Sequence, residues 1–345
     1  MNASGTWLIA IGRLALILGA GVLAAAPFLF APAQLQILTQ FLSLLVIAIM
    51  WNLLAGYADI VSIGQHAFVG IGAYAFFAFA ALAGVNPYLS LLLGGVTAFV
   101  FAVPIMLVIF RLRAAYLAVG SWVVAETLML GAGKLSAFGG GSGVSVPISV
   151  VKAFGAQAAA RYATIYWLAF ALAALALVST YLLMRSKVGI GLTAMRDNEE
   201  GAGSVGVNLI ALRVLCFLWT APFLGIAGGV ITLQKLRVAP PASFSITDWT
   251  VYVIFIVVIG GIGSFEGPII GAIVFFLIRE YLAEIGLWHF ILLGVLSIAV
   301  ILVEPRGLWG LARRFVSDDL IPASFRPPRQ PVMSARIASE NAEAS

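Results

Sequence analysis

The chain has 345 residues, of which 62% are hydrophobic and 10% charged, with a net charge of +5. Soluble domains carry about 25% charged residues, so at a mean hydropathy of +1.10 too few polar side chains remain to cover a water-facing surface. This excludes an ordinary cytosolic enzyme, a disordered protein and a secreted disulfide scaffold, and leaves an integral membrane protein. The alternating pattern of a transmembrane barrel is missing, and the apolar runs are continuous, as in spanning helices.

A bilayer-spanning helix needs about 20 mostly apolar residues. Runs bounded by charges, prolines or Gly/Ser clusters give ten candidate spans: 10–29, 35–55, 62–82, 88–110, 115–132, 164–184, 209–234, 249–261, 267–282 and 287–304. The eighth and ninth are short, and the break Gly260-Gly261-Ile262-Gly263-Ser264 between them reads as a kink or a re-entrant turn. The expected fold is all-α: a polytopic transmembrane helical bundle of eight to ten spans. Arg13 precedes the first apolar run with no small-residue cleavage site after it, so that run is expected to be a span.

With the N-terminus placed in the cytoplasm, the cytoplasmic segments carry Arg111, Arg113, Arg185, Lys187, Arg196, Arg306, Arg313, Arg314, Arg326, Arg329 and Arg336. The opposite side carries Lys134, Lys152, Arg161, Lys235 and Arg237. Positive residues in short loops favour the cytoplasm, so both termini are expected there. The basic balance follows from that asymmetry, and no dense basic tract with interleaved aromatics points to nucleic acid. Residues 1–310 read as one transmembrane domain, with a cytoplasmic tail over 311–345 expected to be disordered. Cys216, the single cysteine, permits no internal disulfide.

In chain order, Ser62, Gln65, His66, Gly70 and Ala73 fall on one face if the third span is helical throughout. Such a polar or small face either lines a pore or ties helices together by hydrogen bonds. Glu126, within the fifth span, is costly to ionise in hydrocarbon; it either meets a substrate amine or pairs with a neighbour such as His66. The segment 185–208 is the sizeable hydrophilic stretch between spans. Asp197 or Asn198 can cap a short helix there, Glu199 and Glu200 occupy its favourable first turn, and Gly206 can end it. With Leu192, Ala194 and Met195 as an apolar stripe, it reads as a docking helix for a partner or as a solvated loop. Arg213 is expected to snorkel to the interface, and His289 to lie near the outer boundary. Gly225/Gly229 and Gly267/Gly271 form small-residue ridges for packing. Gly260, Gly261 and Gly263 mark a hinge or a tight turn.

No phosphate loop occurs, two histidines and one cysteine give no metal site, and no catalytic constellation appears. The chain is therefore expected to be neither an enzyme nor a cofactor carrier. The classes to weigh are an ATP-driven permease subunit, an ion-coupled secondary transporter of small amphipathic solutes using Glu126 or Asp59, and a membrane-embedded enzyme or structural subunit, the last lacking any catalytic constellation.

Four segments carry a resemblance. "RSKVGIGLTAMRDNEEGAGSVGVN" (185–208) is similar to the coupling loop of ABC importer permeases, whose Glu-x-x-Ala-x-x-x-Gly pattern falls on Glu199, Ala202 and Gly206. "NLLAGYADIVSIGQHAFVGIGAY" (52–74), "FRLRAAYLAVGSWVVAET" (110–127) and "VVIGGIGSFEGPIIGA" (257–272), followed by "EPRGLWG" (304–310), resemble branched-chain amino acid importer permeases of the LivM type. Asp59 stands where that family usually has a small or neutral residue, and Gly201 and Gly203 replace helix-favouring residues. The resemblance implies a multi-pass protein of the bacterial inner membrane that works by alternating access. Implied partners are a second permease subunit, cytoplasmic P-loop ATPases docking at Arg196, Asp197, Glu199, Glu200, Ala202 and Gly206, and a periplasmic substrate-binding protein. Its cargo could be leucine, isoleucine and valine, another amino acid, an amide or urea.

Overall fold

A computed structural model describes residues 3–112, 115–282, 288–304, 306–315 and 321. Its helices, in order, are α1 (Ala3–Leu29), α2 (Pro32–Asn52), α3 (His66–Phe77), α4 (Pro87–Ile109), α5 (Ala115–Ala132), α6 (Ile148–Lys152), α7 (Ala158–Arg185) and α8 (Lys187–Asp197). They continue with α9 (Glu199–Ser204), α10 (Leu209–Lys235), α11 (Pro240–Ser243), α12 (Tyr252–Gly260), α13 (Gly267–Leu282), α14 (Trp288–Val303) and α15 (Gly307–Phe315). All ten apolar stretches are helical over most of their length. Among the described residues, six helices are long and apolar enough to cross a membrane, and a seventh follows if Tyr116–Ala132 and Ser136–Ser142, bent by 86°, count as one.

The shortfall against eight to ten has a local cause. His66–Leu82, α13 and α14 are apolar but short. Wide π-helical turns finish α2 at Leu53–Tyr57 and α3 at Ala78–Leu82, and another precedes α12 at Thr247–Val251. Such turns loosen the helical hydrogen-bond ladder and let the chain change course.

α10 is the centre of the bundle, packed on α2, α3, α4 and α7. Its contacts are close because glycine meets backbone. A Cβ on Gly72 would strike the Gly225 backbone, one on Gly228 the Val69 carbonyl, and one on Gly225 the Gly94–Gly95 backbone and Ala98. The Gly225/Gly229 ridge thus packs within the chain. Gly267 and Gly271 likewise seat α13 against α12, on the carbonyls of Gly261 and Ile256. Gly261 (φ 125°) and Gly263 (φ 71°) make the turn between these helices with positive φ, which a side chain at either position would strain.

Segments assigned from sequence to one side of the membrane meet at one end. There α8, α9, the α12–α13 turn and α15 come together; this is called the coupling end below. At the opposite end β1 (Val144–Ser145) pairs antiparallel with β2 (Arg237–Val238), and Lys235 lies 3.6 Å from Asp248. The domain boundary expected at 310 falls inside α15. The tail beyond Phe315, apart from Ile321, and the side chain of His289 lie outside the described residues.

Candidate functional site: a broken span and the coupling end

The expectation of one polar helix face from Ser62 to Ala73 is corrected. α3 begins only at His66, and residues 58–65 are non-helical. The π turn releases the chain at Tyr57, Asp59 adopts the left-handed conformation (φ 51°), and the chain turns back into the bundle. Ser62, Gln65 and His66 are all buried, but only His66, Gly70 and Ala73 belong to the helix.

Irregular backbone at this depth is tolerated only where protein satisfies its polar groups. Here Ser121 Oγ, on α5, accepts from both Ile63 N and Gly64 N at 3.1 Å. Trp51 Nε1, on α2, donates to Ser62 O at 2.9 Å. Thr250 Oγ1 donates to Ile63 O at 3.0 Å. Gly64 has no room for a side chain, because a Cβ would strike the Ser121 carbonyl.

These anchors place a compact polar group inside the bundle. His66 Nδ1 lies 3.1 Å from Ile63 O and 3.0 Å from Thr250 Oγ1, and a carbonyl can only accept, so this nitrogen carries a proton. Its Nε2 then faces Glu126 Oε1 at 4.0 Å. Glu126 also accepts from Trp122 Nε1 at 3.1 Å and keeps 33% of its side chain exposed. Among the described residues, the fully buried Gln65 amide has no hydrogen-bond partner at either its nitrogen or its oxygen. The structure thus brings Gln65, His66 and Glu126 to one region, and adds Ser121, Thr250 and Trp51. Those three have no sequence signature, since their partners are 58, 187 and 11 residues away.

At the coupling end, Asn198 is the cap: its Oδ1 accepts from Gly201 N at 2.8 Å. Glu199 and Glu200 occupy the first turn of α9, and Gly206 follows it with φ 88°. The apolar stripe points a different way from the docking expectation. Leu192, Met195 and Ala202 are buried against the chain itself. The exposed surface from Arg196 onward is therefore mainly polar: Arg196, Asp197, Asn198, Glu199 and Glu200 are exposed together with Gly201 and the Gly203–Gly206 turn, with Val205 80% exposed.

Two arginines join this segment to the spans. Arg196 Nη1 donates to Gly263 O at 2.9 Å, and its guanidinium lies over the Tyr57 ring. Arg213 Nη2 lies 2.9 Å from Glu199 and 3.7 Å from Asp59, and its Nε donates to Ala58 O at 3.4 Å. Arg213 is therefore held by two carboxylates at the head of residues 58–65, contacts that the sequence did not announce. Below it, Asn52 pins the α12–α13 turn to α2: Oδ1 accepts from Gly263 N and Nδ2 donates to Ser264 O, both at 2.8 Å.

Comparison with known proteins agrees with this architecture. The chain is 25% identical to the high-affinity branched-chain amino acid transport system permease protein LivM of Salmonella typhimurium, covering 84% of this chain and 73% of the relative. It is 26% identical to the protein of the same name from Escherichia coli, covering 85% and 74%. A probable branched-chain amino acid transport permease protein LivM of Methanocaldococcus jannaschii is 24% identical, over 64% and 67%. No solved structure matches significantly. The model of the branched-chain amino acid transport system permease component family matches residues 34–303, and the chain belongs to that family.

Proposed function

We propose that this chain is the membrane-spanning permease subunit of an ATP-driven importer that moves branched-chain or related amino acids from periplasm to cytoplasm by alternating access. The observation that carries the reading is the coupling end. An exposed acidic helix, α9, is tied by Arg213 to the residues that open the re-entrant segment, and that segment carries Gln65 and His66 into the bundle. A push or pull on α9 therefore has a short physical route to buried polar groups. The partners in this reading are a second permease subunit, P-loop ATPases in the cytoplasm and a periplasmic binding protein, with the complex in the bacterial inner membrane. ATP hydrolysis belongs to the ATPases. Gln65, His66 and Glu126 line the substrate path: the carboxylate meets the amino group, and the unpartnered amide offers both a donor and an acceptor.

The tests are a gentle-detergent pull-down of tagged chain and an uptake assay. Recovery of a second hydrophobic permease and a P-loop ATPase is expected. Glu199→Lys with Glu200→Lys should abolish uptake with insertion intact, and Glu200→Lys alone separates docking from the internal Arg213 pair. Wild-type uptake in the double variant would overturn the docking assignment.

The ion-coupled alternative rests on the 4.0 Å approach of His66 and Glu126. Asp59 is 67% exposed at the coupling end opposite Arg213, which leaves Glu126 as its coupling carboxylate. A chain that purifies alone and transports in liposomes under a proton or sodium gradient would favour it.

A further inference from the structure

Outward of the buried polar group, aromatic rings close over one face of α3. His66, Gly70 and Tyr74 follow one another at spacings of four on that helix, so the face rises by about 6 Å per step toward the β1–β2 end. Phe244, which precedes the π turn bearing Thr250, has its ring directly against Gly70: a Cβ there would strike three of its ring atoms. The same ring is 5.7 Å from that of Tyr74. Phe138, from the segment between α5 and β1, lies 4.9 Å from Tyr74 and 5.6 Å from Phe77. Phe244 and Tyr74 are 3% and 7% exposed, whereas Phe138 is half-buried. His66 is thus roofed on its outer side by three rings, and the outermost of them comes from a loop.

Two features set this cluster apart from ordinary core packing. The Tyr74 hydroxyl is buried and, among the described residues, has no hydrogen-bond partner. A stranded hydroxyl is a standing cost of the closed arrangement, and contact with water or a solute removes it. The carrier of Phe138 is the second feature. Phe138 ends a short 3-10 turn, and Gly139, Gly140 and Gly143 follow with φ of 73°, 56° and 74°, a region that glycine enters without strain. Beyond them β1 is laced to β2, whose chain leads through α11 to Phe244. Phe244 is therefore held close to the Thr250–His66 contact, while Phe138 turns on glycines. We propose that Phe138 is the moving leaf of an outer gate, seated on Tyr74, Phe77 and Phe244, that shuts the β1–β2 end off from Gln65, His66 and Glu126. The proposal rests on the reading of those three residues as the substrate path and deepens it. Packed rings offer a zwitterion no polar partner, and apolar constrictions gate by excluding water. Withdrawal of Phe138 uncovers the Tyr74 hydroxyl, which then gives the arriving amino acid a donor and an acceptor ahead of Gln65.

The test is thiol labelling of the full-length chain in sealed membrane vesicles of both orientations, with a membrane-impermeant maleimide. Cys216 is replaced by alanine, and Gln65→Cys is the reporter beneath the rings. Lys152→Cys, exposed near the β1–β2 end, identifies the vesicles that present that end. In those vesicles the Gln65→Cys reporter should label slowly, and adding Phe138→Ala should speed labelling about tenfold, since two ring pairs are lost. Phe28→Ala, at an exposed ring on α1, should leave the rate unchanged. Where Phe138→Ala lowers the folded fraction on size exclusion, Phe138→Leu is read in its place and should give a smaller increase. A rate that the Phe138 variant does not raise, or that Phe28→Ala raises equally, overturns the gate. Labelling needs neither cargo nor ATPase, so its failure is separate from failure of the pull-down and uptake tests.

Discussion

Replacement of Asn52 by leucine, a side chain of similar size, removes polarity with little change in volume. Asn52 is 3% exposed and makes two 2.8 Å hydrogen bonds to the α12–α13 turn, more than 200 residues away in sequence. The substitution leaves Gly263 N–H and Ser264 C=O, both in a half-buried turn, without these partners. A fully buried group stranded this way costs about 1–3 kcal/mol, so about 2–6 kcal/mol is the upper range for the two. Hydrogen bonds between membrane helices average only about 0.6 kcal/mol, because the unfolded chain in the bilayer also finds partners. The expected loss therefore lies at the lower end, about 2 kcal/mol. It would be measured as the unfolding free energy of purified protein titrated with SDS in mixed micelles. Uptake should fall as well, since Arg196 is anchored on the same turn through Gly263 O. An Asn52→Leu protein within about 0.5 kcal/mol of wild type would refute the idea that these two bonds hold the turn in place.

Further outcomes follow from the same structure. Ser121→Ala leaves the buried Gly64 N–H and the half-buried Ile63 N–H without this acceptor and should reduce uptake several-fold in vesicles with normal membrane insertion; unchanged uptake would show that residues 58–65 hold their course without it. Gly72→Val forces a side chain into the Gly225 backbone and should abolish accumulation of folded protein on a size-exclusion profile. Gly131→Ala, with open space around it in α5, should be neutral or stabilising by up to about 1 kcal/mol. Asp59→Gly relieves a left-handed conformation that costs a non-glycine residue about 1–2 kcal/mol, and gives up only an exposed 3.7 Å ion pair. It should unfold at or above the wild-type denaturant concentration, and Asp59→Val below it.

The helices were legible in sequence because apolar length is a composition property, and a long run of Leu, Val, Ile and Ala leaves the backbone no other way to satisfy itself in lipid. The broken third span was not legible. Ser62, Gln65 and His66 have helical spacing, and nothing local announces that Asp59 turns left-handed or that Ser121 and Thr250 supply the missing hydrogen bonds. The apolar stripe of the coupling segment was readable as apolar, but not as facing inward, because the surface that buries Leu192 and Met195 is assembled from distant spans. A cap at Asp197 or Asn198 was readable since a cap is a purely local device, and the structure gives it to Asn198.

The segment 58–65 is fastened to three different bodies: α2 through Trp51, α5 through Ser121, and the turn before α12 through Thr250. A hydrogen bond tolerates only about half an ångström of stretch. Sliding any one of these helices past the other two therefore breaks at least one fastening, and each break strands a buried polar group. Three attachments at separate points remove the relative translations that a single hinge would permit. The low-cost motion left to this part of the bundle is a common tilt, in which α2, α5 and α12 travel as one piece and the adjustment is taken up at their borders with the remaining helices.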